Sequence, residues 1–316
     1  MSNNLVQRKI AIIFPCYNEE GVIFKTVQQV KEKLIEAKIQ ESFEYVFIDD
    51  GSSDNTLLEL FSIERELGIK TKIIQFTRNF GKESAIFAGL EYAKENNFDG
   101  AVFIDADGQD NPEALVEMLN EFLTGKYDDV YAKRISRDDS STIKSKLIEW
   151  YYHLLNKNSR FQIEENVGDF RVISKNAINE IVELKERARY TKGMFAFIGM
   201  RKKEVLMKRH ERIGGKSKWN ISKQMNFALD GFVNFTYLPY KLSVWVTVIL
   251  ALMVVAYNFY VLLSARIFNI MTLGIDFLLF GLLLVSCVCV VGMKVLMTIL
   301  EEVKNRPIYI KNKPIK

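Results

Sequence analysis

Short apolar runs and helix-forming stretches alternate from Lys9 to Ala132, and four of the runs end in polar or acidic clusters. Lys9 to Phe14 reads as a buried strand, and Glu19 to Lys38 as a helix capped by Asn18. Tyr45 to Ile48 is a second strand, after which Asp54 can cap a helix reaching Leu67. Lys72 to Phe76 and Ala101 to Ile104 are further strands, separated by a helix over Gly81 to Asn96. Pro112 and Glu113 open a helix to Leu123, and Val130 to Ala132 is a fifth short strand. This alternation predicts an α/β fold with a mainly parallel sheet covered on both faces. In such a sheet the ligand site lies beyond the C-terminal strand ends.

Those ends supply PCYNEE (15–20), DDGSSDNT (49–56), TRNFGKES (77–84) and DADGQD (105–110). Carboxylates clustered at the end of a buried strand cost folding energy unless something compensates their charge. Oxygen ligands in acid-X-acid spacing suit Mg²⁺ or Mn²⁺, which bind through one or two carboxylates plus substrate phosphates. Asp105 and Asp107 are therefore candidate metal ligands, with helix capping and loop solvation as the alternative. PCYNEE stands where a dinucleotide fold carries GxGxxG, and the phosphate-cradling GxxxxGK[ST] is absent too. Both facts disfavour a dehydrogenase or a P-loop enzyme.

Hydropathy changes near the C-terminal end. Leu242 to Leu263 gives 22 positions without a charge, long enough to cross a bilayer core. Phe277 to Met293 gives 17 more between Asp276 and Lys294. Two buried core helices are the alternative, but runs that are apolar all round and lie together favour spans. Met1 to Lys9 lacks the apolar stretch of a signal peptide, so the preceding region is expected in the cytoplasm. Only Arg266 is basic between Ser264 and Asp276, whereas Lys223, Lys241, Lys294, Lys304, Arg306, Lys311, Lys313 and Lys316 flank the pair. That asymmetry predicts a hairpin with both ends cytoplasmic. Cys16, Cys287 and Cys289 offer no plausible disulfide, and His153 and His210 give no zinc spacing.

PCYNEE, DDGSSD and DADGQD, followed by GDFRVISK (168–175), RIGGKSKW (212–219) and two apolar runs, resemble the inverting family-two glycosyltransferases of GT-A fold. Within them the chain is similar to bacterial polyisoprenyl-phosphate glycosyltransferases, relatives of dolichol-phosphate mannose synthase. The resemblance implies a GT-A domain (1–218, Rossmann-like, mainly parallel sheet), an amphipathic juxtamembrane segment (219–240), two transmembrane helices (241–300) and a basic tail (301–316). It implies that Pro15, Tyr17 and Glu19 line the base and ribose, with Asp50 hydrogen-bonding the base. Asp105, Asp107 and Gln109 would surround Mg²⁺ or Mn²⁺, which bridges the nucleotide diphosphate and offsets leaving-group charge. Arg212, Ser217 and Lys218 match a mobile loop that closes over the diphosphate. Arg134 matches the arginine that holds the acceptor phosphate, with Arg137 and Lys144 as helpers; Lys146 is another candidate there. Asp169, with Asp107 and Arg134, completes the catalytic set, either orienting the acceptor or acting as a base, and Arg171 anchors it.

The expected reaction is inverting transfer of one hexose from a nucleotide sugar to undecaprenyl phosphate at the cytoplasmic face of a bacterial membrane. UDP-glucose is the first donor to consider; UDP-N-acetylglucosamine, UDP-galactose and GDP-mannose stay open. A downstream flippase and an external glycosyltransferase are implied partners, and a homo-oligomer is left open. Lys185 to Lys223 carries 13 Lys or Arg against 3 Glu, net +10, so the rest of the chain, +4 less that, is −6. A basic belt before the spans attracts anionic headgroups, and Trp219, Phe227, Phe232, Phe235, Tyr237 and Tyr240 suit an interface. No nucleic-acid motif accompanies that charge. A processive polysaccharide synthase would carry QxxRW and more spans, and a non-catalytic sensor would be expected to lose the acids or the GGKSK loop.

Overall fold

The computed structural model describes residues 7–135, 142–159, 162–184, 186, 189, 191–208, 210, 236, 238–264, 267–304 and 306–312. The chain divides into two compact units. One comprises Met1–Tyr152, Phe161–Asn220 and Pro307–Lys316; the other comprises His153–Arg160 and Ile221–Arg306.

In the first unit the strands are β1 (Lys9–Cys16), β2 (Ser42–Asp49), β3 (Thr71–Gln75), β4 (Gly100–Phe103), β5 (Asp129–Arg134), β6 (Val167–Ser174) and β7 (Lys202–Met207). Between them run α1 (Ile23–Glu36), α2 (Thr56–Leu67), α3 (Lys82–Glu95), α4 (Pro112–Leu123), α5 (Thr142–Asn158), α6 (Lys175–Glu183) and α7 (Thr191–Phe197). The described strands form one sheet in the order β3-β2-β1-β4-β6-β5-β7. β1 to β4 are parallel, as the alternation predicts. β6 then inserts antiparallel between β4 and β5, and β5 pairs parallel with β7. The sheet is therefore mixed, and β6 and β7 are elements that the apolar pattern did not announce.

Both faces of the sheet are packed. Ile10, Ile12 and Phe14 of β1 join Tyr45, Phe47, Val102 and Val172 in a core against α1, α2 and α4. Ile13, Ile48, Ala101 and Ile173 are buried on the opposite pleat, where α3, α6 and α7 lie. Each of the Ile, Val and Phe side chains contributes about 1.5–3 kcal/mol by leaving water. α3 approaches β1 so closely that a Cβ on Gly89 would sit 2.5 Å from Ile13 Cγ2.

Two expected caps differ from the structure. α1 starts after Val22, not at Asn18. Asn18 instead takes φ +52°, and its Oδ1 accepts from Ser53 N. Asp54 lies one residue outside the cap of α2 but still accepts from Thr56 N. Asn111 caps α4 by accepting from Glu113 N, with Pro112 as the first helical residue.

The second unit is dominated by α8 (Leu238–Ser264) and α9 (Ile267–Val303). Among the described residues no helix is long and apolar enough to cross a membrane. Side chains at several positions of both helices, Ser243, Val254 and Cys287 among them, fall outside the described set. Most of the juxtamembrane segment 219–240 also lies outside it.

The chain then returns to the first unit. Thr77 N donates to Ile310 O, Asn312 N donates to Gln75 O, and Phe76 bridges Lys311 antiparallel. Tyr309 stacks on Phe76 at 4.6 Å and hydrogen-bonds Glu91. The last described residues thus cover the β3 edge of the sheet.

Candidate active site

The C-terminal ends of β1, β2 and β4 and the loop after β3 converge, and backbone geometry shows how. Asp50 N donates to Cys16 O, while Asn18 N and Glu19 N donate to Ser52 Oγ and Thr56 Oγ1. PCYNEE and DDGSSDNT are therefore laced into one surface, on which Tyr17 and Glu19 are half-buried and Pro15 is the penultimate residue of β1. Gly51 takes φ +69°, and a Cβ there would meet the Arg78 backbone at 2.5 Å, so only glycine fits between these loops. Asp50 is buried and accepts from Phe80 N at 2.6 Å and Gly81 N at 2.9 Å. Burial pushes its carboxyl up even though both amides oppose this. Asp50 thus shapes the loop that leads into α3, whatever else it contacts.

The DADGQD loop is held from within. Asp110 accepts from Asp105 N at 2.8 Å, and Asp107 accepts from Gln109 N at 3.1 Å. Burial, and then the charge of Asp105, pushes Asp110 up to about 7. Gln109 O accepts from His210 N, which ties the chain just before RIGGKSKW to the acidic loop. Arg212, Ser217 and Lys218 themselves lie outside the described residues, as does Arg137. Lys144 sits in α5, but its side chain is not described.

Asp169 reaches this place because β6 runs antiparallel to β4. Phe103 pairs with Arg171 at the end of the ladder, and just beyond it Asp105 and Asp169 come close enough to share one neighbour. Between them stands Lys82, whose Nζ is 2.6 Å from Asp105 Oδ1 and 2.6 Å from Asp169 Oδ2. Burial pulls Lys82 down, but Asp105 and then Asp169 hold its ammonium well above the ordinary lysine range. Burial would raise Asp169, yet Lys82 and Lys192 keep it at about 2, an ionised carboxylate. Beside it, Glu83 accepts from Thr191 N at 3.1 Å. Burial, followed by the charge of Asp169, pushes Glu83 up to about 8. Arg134, at the end of β5, has its guanidinium 3.6 Å from the position of a Cβ on Gly168. It therefore lies next to the residue preceding Asp169.

Asp105, Asp107, Asp169, Arg134 and the Gln109 backbone are thus gathered around one strand edge. Lys82, Glu83, Asp110 and Lys192 join them, four residues to which no motif in the sequence gives a role. Lys82 did leave a signal: a lysine directly after glycine at a helix start opposes the helix dipole and needs a compensating anion. Among the described residues no group of three or more His, Cys, Asp or Glu could hold a metal ion by itself. The donors present, Asp105 with Asp107 two residues on, have the oxygen chemistry of a Mg²⁺ or Mn²⁺ site completed by substrate phosphates. Asp105 already has one cationic partner, the Lys82 ammonium.

Comparison with known proteins follows the same outline. The sequence model of Glycosyl transferase family 2 matches residues 11–182. An uncharacterised glycosyltransferase of Synechocystis sp. is 35% identical over 311 residues, covering 96% of this chain and 94% of that protein. A prophage-derived bactoprenol glucosyl transferase of Shigella flexneri is 36% identical over 313 residues, covering 96% and 97%. Among solved structures, a mycobacterial protein is similar with a TM-score of 0.48 at 16% identity, covering 72% of this chain and 73% of that one.

Proposed function

Because the chain belongs to glycosyltransferase family 2, we propose that it moves a single hexose, with inversion, from a nucleotide sugar to undecaprenyl phosphate at the cytoplasmic face of a bacterial membrane. The observation that carries this reading is the closeness of Asp105 and Asp169, both paired with Lys82, beside Arg134, where both substrates would meet. The relative named bactoprenol glucosyl transferase supports the lipid acceptor, since the likeness runs through both long C-terminal helices. By the same name, UDP-glucose is the first donor to try.

Asp105 and Asp107 would hold Mg²⁺ or Mn²⁺, which neutralises charge on the departing diphosphate. Pro15, Tyr17, Glu19 and Asp50 would form the nucleoside side of the cleft, and Arg212, Ser217 and Lys218 would close over the phosphates. Arg134, with Arg137 and Lys144, would receive the acceptor phosphate. That phosphate is already anionic at neutral pH, so it needs orientation more than deprotonation. Asp169, ionised at about 2, can accept a hydrogen bond or orient a cation, and it has little basicity as a proton acceptor.

The two C-terminal helices would anchor the enzyme as a membrane hairpin. Leu242 to Leu263 holds no charged residue, and large apolar side chains of α8 such as Trp245, Leu252, Val255 and Phe259 are exposed. A stripe of exposed apolar side chains running the length of one helix is costly in water and suited to lipid. The test is transfer by purified full-length protein to undecaprenyl phosphate, screened over UDP-glucose, UDP-N-acetylglucosamine, UDP-galactose and GDP-mannose and read by mass spectrometry. One glycosylated lipid with one donor is expected. No product with any donor overturns the reaction class, and a polymeric product overturns single transfer.

A further inference from the structure

Lys82 occupies a position that its own helix disfavours, since the N-terminal end of α3 carries the positive end of the helix dipole. Asp105 and Asp169 account for it. Just beyond Phe103↔Arg171, the end of the β4–β6 ladder, these two carboxylates come close enough to share one neighbour. Like charges held that close repel. One ammonium at 2.6 Å from an oxygen of each removes the repulsion. Lys82 therefore does for Asp105 what a divalent cation would do. Its starting point is also fixed from the nucleoside side of the site, because Asp50 holds the amides of Phe80 and Gly81 immediately before it.

We propose that Lys82 is a positioning residue that stands in for the divalent cation: it bridges Asp105 to Asp169 in the nucleotide-free enzyme and suppresses cation binding there. It yields Asp105 when a nucleotide diphosphate brings further negative charge into the site. Metal and nucleotide then bind together rather than separately, and the acidic cluster does not collect stray cations. Asp169 keeps its cationic neighbour throughout, which holds it in place beside Arg134.

This rests on the metal reading above, and the experiment separates the two. Mn²⁺ binding to full-length protein in detergent is titrated by electron paramagnetic resonance, with and without UDP or GDP. The wild-type protein should bind Mn²⁺ weakly alone and more tightly with nucleotide. Lys82→Met and Lys82→Gln should raise nucleotide-free Mn²⁺ affinity at least tenfold, while Lys82→Arg, which keeps the charge, should behave as wild type. Circular dichroism checks that each variant is folded, and the polar Gln variant serves if the Met variant is not. A merely structural lysine would not tighten metal binding when removed. Wild-type Mn²⁺ binding that needs nucleotide, with no gain in folded Lys82→Met or Lys82→Gln, overturns the proposal alone. No Mn²⁺ binding by wild type even with nucleotide overturns the metal reading and the proposal together.

Discussion

Replacing Asp129 by Asn tests how strand β6, and with it Asp169, is kept in register. Arg171 lies two residues from Asp169 on the same pleat, and its Nη1 is 2.9 Å from Asp129 Oδ2. The two side chains are 2% and 1% exposed, so neither can turn to water. Arg171 also lies 3.8 Å over the Phe195 ring and reaches Gly168 O. Among the described residues Arg171 Nε and Asp129 Oδ1 have no hydrogen-bond partner. Burial raises Asp129 in spite of Arg171, so the attraction does not fully offset desolvation. Removing one member of such a pair strands the other, at a cost of about 3–5 kcal/mol. That is a large share of a typical stability of about 5–15 kcal/mol. Replacing both by apolar residues of similar volume is often close to neutral. Asp129→Asn should therefore be strongly destabilised in urea unfolding followed by circular dichroism. The double variant Asp129→Leu with Arg171→Met should recover most of the loss. A single variant costing under about 1 kcal/mol, or a double variant as unstable as the worse single, would refute this account of the pair.

Other outcomes follow from the same geometry. Asp107→Asn keeps size and removes charge, so the fold should survive while transfer falls by orders of magnitude; full activity in that variant, or in excess EDTA, would sink the metal role. Arg134→Ala should weaken use of the lipid phosphate and spare nucleotide binding, whereas Arg212→Ala should do the reverse; equal loss of nucleotide affinity in both would erase the division of the site. Glu83, raised to about 8, holds a proton when folded that the unfolded chain releases near 4.5. Its contribution is thus fully present below the unfolded value and is lost as pH rises through about 8. Glu83→Gln, neutral at every pH, should flatten the fall of melting temperature between pH 5 and 9, values that bracket the titration. Identical slopes for wild type and variant would show that Glu83 is not held protonated.

The first four strands were legible because each is a run of apolar residues ending in a polar cluster. β6 was not, since Arg171 interrupts its apolar run and only Asp129, some forty residues earlier in the chain, hides that charge. β7 reads KKEVLM, charged as an edge strand should be, with only Val205 and Met207 buried. The acids at positions 105 and 107 declared themselves by spacing. Asp169 was recognisable only through the family motif, and its closeness to Asp105 comes from the antiparallel pairing of β6 with β4, which no local pattern carries. Lys82 is one of 43 Lys and Arg; its place at the start of α3 against the helix dipole is its one local mark, and its two carboxylate partners are visible only in the tertiary structure. Asn18 misled because PCYNEE looks like a cap, whereas its side chain serves the loop after β2.

The return of the chain to the sheet edge makes the membrane arrangement testable. The first unit is left at Asn220 and re-entered at Pro307. Tyr309, Ile310 and Asn312 then pair with Gln75, Phe76 and Thr77, so both ends of the intervening segment belong to one folded body. On the function proposed above, that body would hold the nucleotide-sugar site and lie on the cytoplasmic side. As the membrane anchor proposed above, α8 and α9 would cross an even number of times in total. Their 27 and 37 residues correspond to about 40 Å and 55 Å of helix, each longer than the roughly 30 Å hydrocarbon core. Two crossings with an external turn near Arg266 satisfy both constraints and agree with the excess of Lys and Arg on the outer flanks. With Cys287 and Cys289 replaced by Ser, a cysteine at Asn269 should react with an impermeant thiol reagent applied to intact cells. A cysteine at Lys304 should react only after the membrane is opened. Labelling of Lys304→Cys from outside would break the link between the tail and a cytoplasmic catalytic unit. Protection of Asn269→Cys, with Lys304→Cys also protected, would mean that the helices lie on the membrane rather than through it.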